Sequence, residues 1–206
     1  WAAIRLFTAT GSERYLDQAR QWTRILDRHY WDEDRGGYFT AADDTLDVVV
    51  RLKSATDDAA PNANAIQLSN LIALAALTGD AAYDDRARRL SQAFASAVAH
   101  TPISHCALLA AELDADRVVQ VAIQAPPGPC DLRGELQRLS IPGALEFVGS
   151  SEAQSGQSSL LGGKTMIDGK STAYVCVGPV CSAPIQEPEK LRQALRGART
   201  GAGVAA

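Results

Sequence analysis

One eleven-residue phrase occurs twice in this chain, and it limits the possible folds more than any other feature. Thr10-Gly11-Ser12-Glu13-Arg14-Tyr15-Leu16-Asp17-Gln18-Ala19-Arg20 returns as Thr78-Gly79-Asp80-Ala81-Ala82-Tyr83-Asp84-Asp85-Arg86-Ala87-Arg88. Each copy follows an apolar helical stretch, 2–9 in one case and 68–77 in the other. A glycine that takes the left-handed conformation ends a helix, and a Ser or Asp after it accepts from the free amides that start the next. Both copies therefore predict a tight helix-helix turn. An amphipathic helix follows each turn, marked by Tyr15, Ala19, Trp22, Leu26 and His29 or Tyr30, and by Tyr83, Ala87, Leu90, Phe94 and Val98.

Two copies of one αα-hairpin, joined by a long connection, indicate hairpins stacked side by side. The expected architecture is mainly α: a partial α/α toroid over 1–114, followed by a small α/β appendage over 115–206. Two hairpins cannot close a ring, so further repeats are expected upstream. The opening Trp1-Ala2-Ala3-Ile4-Arg5-Leu6-Phe7 reads as the middle of a helix, and the N-terminus is expected to be a truncation point. Alone, such a piece would expose its inner helix faces and is expected to self-associate.

A short helix is predicted over 103–113. The valine-rich run 117–124 reads as a buried strand, broken by Pro126-Pro127-Gly128-Pro129. A helix over 131–139 and a strand over 144–148 complete a βαβ unit. A strand over 172–177 and a helix over 187–196 close the chain. The Ser- and Gly-rich loop within 150–163 is expected to be mobile, and the Gly- and Ala-rich tail to fray.

Net charge of −4 argues against a nucleic-acid or anionic-membrane partner, since both attract basic surfaces. No stretch approaches the ~18 apolar residues of a membrane span. Four cysteines are too sparse for a disulfide scaffold and fit a reducing, cytoplasmic setting. Cys176 and Cys181 lack the spacing of a zinc or redox pair and read as buried structural thiols.

The connection from Trp31 to Pro61 carries the candidate site, because ordered loops over about twenty residues tend to be functional. After the turn at Gly36-Gly37-Tyr38-Phe39 come Arg51, Lys53, Asp57, Asp58 and Asn64, at or just before the next helix. In a ring of hairpins, such connections converge on the central cavity. Asp57 is the candidate acid/base carboxylate, and Arg51, Lys53, Asp58 and Asn64 are candidate contacts to a sugar-like small molecule. Alternatively, Asp57 or Asp58 caps the helix and Arg51 pairs with it. Asp32, Asp34, Gly37 and Asp43 follow calcium-loop spacing loosely, but Gly36 supplies no ligand and the last position is not Glu, so a plain turn fits better. Gly162-Gly163-Lys164-Thr165 lacks the first glycine of a phosphate loop, where Ser158 stands. No metal and no cofactor are expected.

These residues resemble the thioredoxin-domain-containing family related to spermatogenesis-associated protein 20. That family's carboxy-terminal region has a Gly-Gly-aromatic-Phe turn (Gly36 to Phe39), an Arg-x-Lys segment (Arg51, Lys53), then an Asp and an Ala-x-Pro-x-x-Asn run (Asp57, Ala59, Pro61, Asn64). It also has a Thr-Gly-Asp…Tyr helix start (Thr78 to Tyr83) and a Tyr-Val-Cys…Cys…Pro block (Tyr174, Val175, Cys176, Cys181, Pro184). Asp58 and Ala63 stand where many relatives have Gly. The resemblance implies a longer protein, with a thioredoxin-like domain and a six-hairpin toroid similar to those of carbohydrate-active enzymes. Its partners here would be the upstream hairpins and that domain. A carbohydrate-like ligand is then one expectation, and a non-catalytic scaffold for the missing domain is the other.

Overall fold

The computed structural model describes residues 1–115, 118–139, 141, 143–149, 162–178 and 180–200. Among these lie seven α-helices and a four-stranded sheet: α1 (Ala2–Thr10), α2 (Glu13–His29), α3 (Ala63–Thr78), α4 (Ala81–His100), a 3-10 turn (Pro102–His105), α5 (Cys106–Ala115), β1 (Val119–Gln124), α6 (Asp131–Arg138), β2 (Leu145–Gly149), β3 (Thr172–Val177), β4 (Val180–Cys181) and α7 (Pro188–Thr200). The chain is mainly α, as its periodicity predicts. It divides into two compact units, one of residues 1–4, 14–75 and 79–116, the other of residues 5–13, 76–78 and 117–206.

Both glycines end a helix as the repeat predicts, and the capping side chain is seen at the second turn. Gly79 is left-handed (φ 71°), its amide donates to Ala75 O at 2.8 Å, and Asp80 caps α4 by accepting from the Ala82 amide. At the earlier turn Gly11 is left-handed too, while Ser12 offers its own amide to Thr10 Oγ1. In the first unit α4 buries the expected stripe of Ala87, Leu90, Phe94 and Val98. The stripe on α2 differs from expectation: Leu16, Ala19 and Thr23 are buried, whereas Trp22 is 53% exposed. Rotating the buried arc by one residue turns the indole outward. Helix α3 carries Leu68, Leu71 and Leu74, all buried, together with Ala65 and Ile72, into the core of this unit.

The second unit is built on a sheet of order β2-β1-β3-β4. Strand β1 pairs parallel with β2, with α6 between them in sequence, which is the anticipated βαβ connection. Strand β3 then lies antiparallel on the other side of β1. On one face Val119, Val121 and Ile123 pack with Leu132 and Leu136 of α6 and Leu191 and Leu195 of α7. On the opposite face Phe147 meets Phe7 at 5.9 Å between ring centroids. Gln120 reaches Ala76 O there, and Arg5 reaches Ala144 O. Those contacts draw residues 5–13 and 76–78 into this unit. Buried Glu135 of α6 accepts from Arg192 Nε and Nη2 (2.6 and 3.0 Å), which clamps α7 to α6.

Two expectations need correction. Cys176 and Cys181 are not thiols: they sit directly opposite each other in the β3/β4 pair and form a disulfide, with Cα atoms 3.9 Å apart. Cys176 is buried and Cys181 exposed, and the cysteine count no longer argues for a reducing compartment. The final helix runs to Thr200, beyond its predicted end, so Gly197 is helical. The Ser-rich loop expected to be mobile (all but 162 and 163), the strand start at residue 117 and the frayed tail at 201–206 lie outside the described residues. No helix among the described residues is long and apolar enough to cross a membrane.

Candidate functional site

The connection between α2 and α3 contains no regular helix or strand, yet it is tied down along its length. Trp31 and Tyr38 form an isolated antiparallel bridge. Between them Asp32 makes an Asx turn, its Oδ1 accepting from the Asp34 and Arg35 amides at 3.1 and 3.0 Å. Lys53 Nζ closes the turn, donating to Asp32 Oδ2 at 2.6 Å and Gly36 O at 2.5 Å. The calcium spacing thus resolves as a turn held by an ammonium group, and Asp43 lies elsewhere, 2.9 Å from His29 Nδ1.

The other singled-out residues are bound in the same way. Arg51 stacks its guanidinium 4.2 Å from the Phe39 ring centroid and donates to His29 O. Asn64 is buried: its Oδ1 accepts from the Tyr38 amide at 2.8 Å, and its Nδ2 donates to Tyr38 O and Ser54 O, each at 2.9 Å. Asp57 uses both carboxylate oxygens. Oδ1 accepts from the Asn62 amide (2.9 Å) and Oδ2 from the Ala107 amide (2.8 Å) in the first turn of α5. The positive end of that helix favours a carboxylate there. Asn62, rather than Asp57 or Asp58, caps α3, accepting from the Asn64 amide at 2.8 Å. Asp58 is exposed, and its amide donates to Ala60 O. Arg51 and Lys53 share the Phe39 ring, whereas Asp57 works at the start of α5.

A second polar group was not singled out from the sequence. Tyr38 donates its hydroxyl to Asp27 Oδ1 at 2.5 Å, and Arg86 Nε lies 3.9 Å from the same oxygen. Arg86 also stacks over Trp31, with Cζ 4.3 Å from the ring centroid. Burial and the Asp27 charge push the Tyr38 hydroxyl far above the ordinary phenol range, so it stays a donor. Asn70 Nδ2 donates to Gln67 Oε1 at 3.0 Å. Gln67 Nε2, Asn70 Oδ1 and Arg86 Nη1 are buried without a hydrogen-bond partner among the described residues. Asn64, Gln67 and Asn70 recur at three-residue steps along an otherwise apolar helix, and that polar stripe was the available signal.

Three carboxylates make folding pH-dependent in the same direction. Burial disfavours ionised Asp32, but the Lys53 hydrogen bond and charge and the Arg35 and Asp34 amides prevail and hold it below the usual range. The His29 hydrogen bond does the same for Asp43, and the Arg192 hydrogen bond for Glu135. A pKa lower in the folded than in the unfolded chain adds stability above the unfolded value, lost as pH falls through the folded one. The urea midpoint is therefore expected to hold from pH 7 to about 5 and to drop below about 4. A midpoint at pH 3 equal to that at pH 7 would show that these pairs contribute nothing.

No family model matches the chain. It is similar to spermatogenesis-associated protein 20 of Rattus norvegicus, 28% identical over 200 residues, a match covering 93% of this chain and 25% of the relative. The Homo sapiens protein of the same name is 27% identical over the same coverage. An uncharacterised protein of Caenorhabditis elegans is 24% identical over 197 residues, 93% of this chain and 27% of that protein. The chain spans about a quarter of the length of these curated relatives.

Proposed function

We propose that this chain serves as a non-catalytic part of a longer protein, a pair of hairpins from an α/α toroid with a small α/β unit at its end. The observation that carries the reading is Asp57, whose two oxygens are both occupied by backbone amides. A general acid or base must point a lone pair at its substrate, whereas each oxygen of this carboxylate is turned to a backbone amide, and the pair of bonds joins the approach to α3 to the start of α5. Asn64 and Lys53 are committed in the same way. Exposed apolar side chains also favour a covered surface: Trp22, Ile25, Val50 and Leu52 are all well exposed, and Leu46 (96%) and Val49 (99%) almost fully. Further hairpins of the same protein are the proposed cover, consistent with relatives about four times longer.

A second reading, a carbohydrate-like ligand held by the hairpins, draws on Gln67 Nε2 and Asn70 Oδ1, buried without a hydrogen-bond partner among the described residues. A hydroxyl both accepts from N–H and donates to C=O, so it satisfies such a mixture. Those atoms are sealed from solvent, and a ligand reaches them only after local opening.

One experiment separates the two. The chain and its Asp57→Ala and Gln67→Leu variants are unfolded in urea, then titrated with a panel of monosaccharides and uronates. Losing two charge-assisted hydrogen bonds is expected to cost Asp57→Ala about 3 kcal/mol, with no saccharide bound by any form. Uronate binding lost in Asp57→Ala at unchanged stability would overturn the scaffold reading. Saccharide binding lost only in Gln67→Leu would replace it with the second.

A further inference from the structure

We infer that Cys176–Cys181 is a thiol–disulfide exchange site whose attacked atom is Cys181 Sγ and whose co-substrate is a dithiol. The two cysteines differ in access: Cys176 is buried in β3, and Cys181 is exposed on β4, a two-residue strand at the edge of the sheet. A thiolate must approach along the S–S axis from behind the sulfur it attacks, and solvent reaches the pair from the Cys181 side.

The bond is also one that the fold can spare. It closes a ring of sequence separation five, so the loop entropy it removes from the unfolded chain is small. The same hairpin is already held by the Val177–Val180 pairing. The Ser182 amide donates to Val175 O, and Ser182 Oγ accepts from the Val175 amide. Strand β1, at the centre of the sheet, is flanked by β2 and β3, and its Gln120 pairs with Cys176 through the backbone ladder, which does not depend on the sulfur–sulfur bond. Opening and closing the bond therefore leaves the unit folded, as reversible exchange demands.

In the first step a thiolate of the dithiol bonds to Cys181 Sγ. The Cys176–Cys181 bond breaks, and its electron pair leaves on Cys176 Sγ, which takes a proton from solvent. In the second step the other thiol of the reagent, as thiolate, attacks the reagent's own sulfur in the mixed disulfide. Cys181 departs as a thiolate and the reagent leaves as a disulfide. The protein gains two electrons and the dithiol loses two.

The test uses the chain with Cys106→Ser and Cys130→Ser, which removes the other two thiols. Brief incubation with excess glutathione, then acid quenching, which protonates the freed Cys176 and the remaining glutathione before either expels the adduct, and fragment-ion mapping, is expected to place glutathione on Cys181. Dithiothreitol is then expected to reduce the pair without denaturant. Amide exchange at Val180 and Ser182 should rise about tenfold or more, while that of β1 changes less than about twofold. Glutathione on Cys176, reduction that requires denaturant, loss of protection throughout β1, or two free thiols in the protein as purified would each overturn the assignment.

Discussion

Asn64→Ala is expected to lose about 4 kcal/mol of folding stability, the largest effect of any single side-chain truncation in the first unit outside its apolar core. The amide of Asn64 bonds to both backbone groups of Tyr38 and to the carbonyl of Ser54, all within 2.9 Å. It thereby does for an irregular segment what a neighbouring strand does for a sheet edge. Truncation leaves one amide and two carbonyls without partners in a buried setting, each at a cost of about 1–3 kcal/mol, partly shared because one relaxation serves all three. Asn64→Asp should be nearly as damaging, since it keeps the acceptor but removes both donors and adds a buried charge. Urea unfolding of the two variants checks this. A loss under about 1 kcal/mol would mean that water replaces the amide at little cost.

How far this arrangement was legible depends on the range of each interaction. The stripe Ala87, Leu90, Phe94, Val98 emerged from spacing alone because packing against a helix selects every third or fourth side chain. The β1–α6–β2 unit was legible because an apolar run, a proline break and a polar helix follow one another closely in sequence. The placement of β3 against β1 leaves no local trace, as either side of a sheet suits an apolar strand. Similarly, Tyr15 and Trp22 suited the buried arc of α2 as well as Leu16 and Thr23 did, and only the neighbours decide.

Residues of the candidate site were identifiable as polar groups at a helix entrance, but their tasks were not. Asp57 meets an amide fifty residues later in sequence, and nothing near position 57 announces that partner. The turn at Asp32 was readable from Asp-x-Asp-x-Gly-Gly, whereas its closure by Lys53 depends on where the segment returns. The disulfide followed from register: a two-residue strand is too short to recognise, so the pairing of Cys176 with Cys181 stayed hidden.

Gly36→Ala and Gly79→Ala form a pair in which conformation is matched and space is not. The backbone is left-handed at both, with φ 72° at Gly36 and 71° at Gly79, so any L residue pays the same local penalty of about 1–2 kcal/mol. A Cβ at Gly79 would meet nothing within 4 Å, and Gly79→Ala is expected to show that penalty alone. A Cβ at Gly36 would lie 2.6 Å from the carbonyl oxygen of Arg89, a backbone atom within α4. That oxygen cannot swing aside as a side chain would. Relief requires shifting the turn off α4, which pulls Gly36 O from Lys53 and the Asp32 turn with it. Gly36→Ala should therefore cost about 3–4 kcal/mol, at least 1–2 more than Gly79→Ala. Measured in urea at one pH, equal losses at the two sites would show that the turn does not rest against α4, and that the connection is not braced as its hydrogen bonds imply.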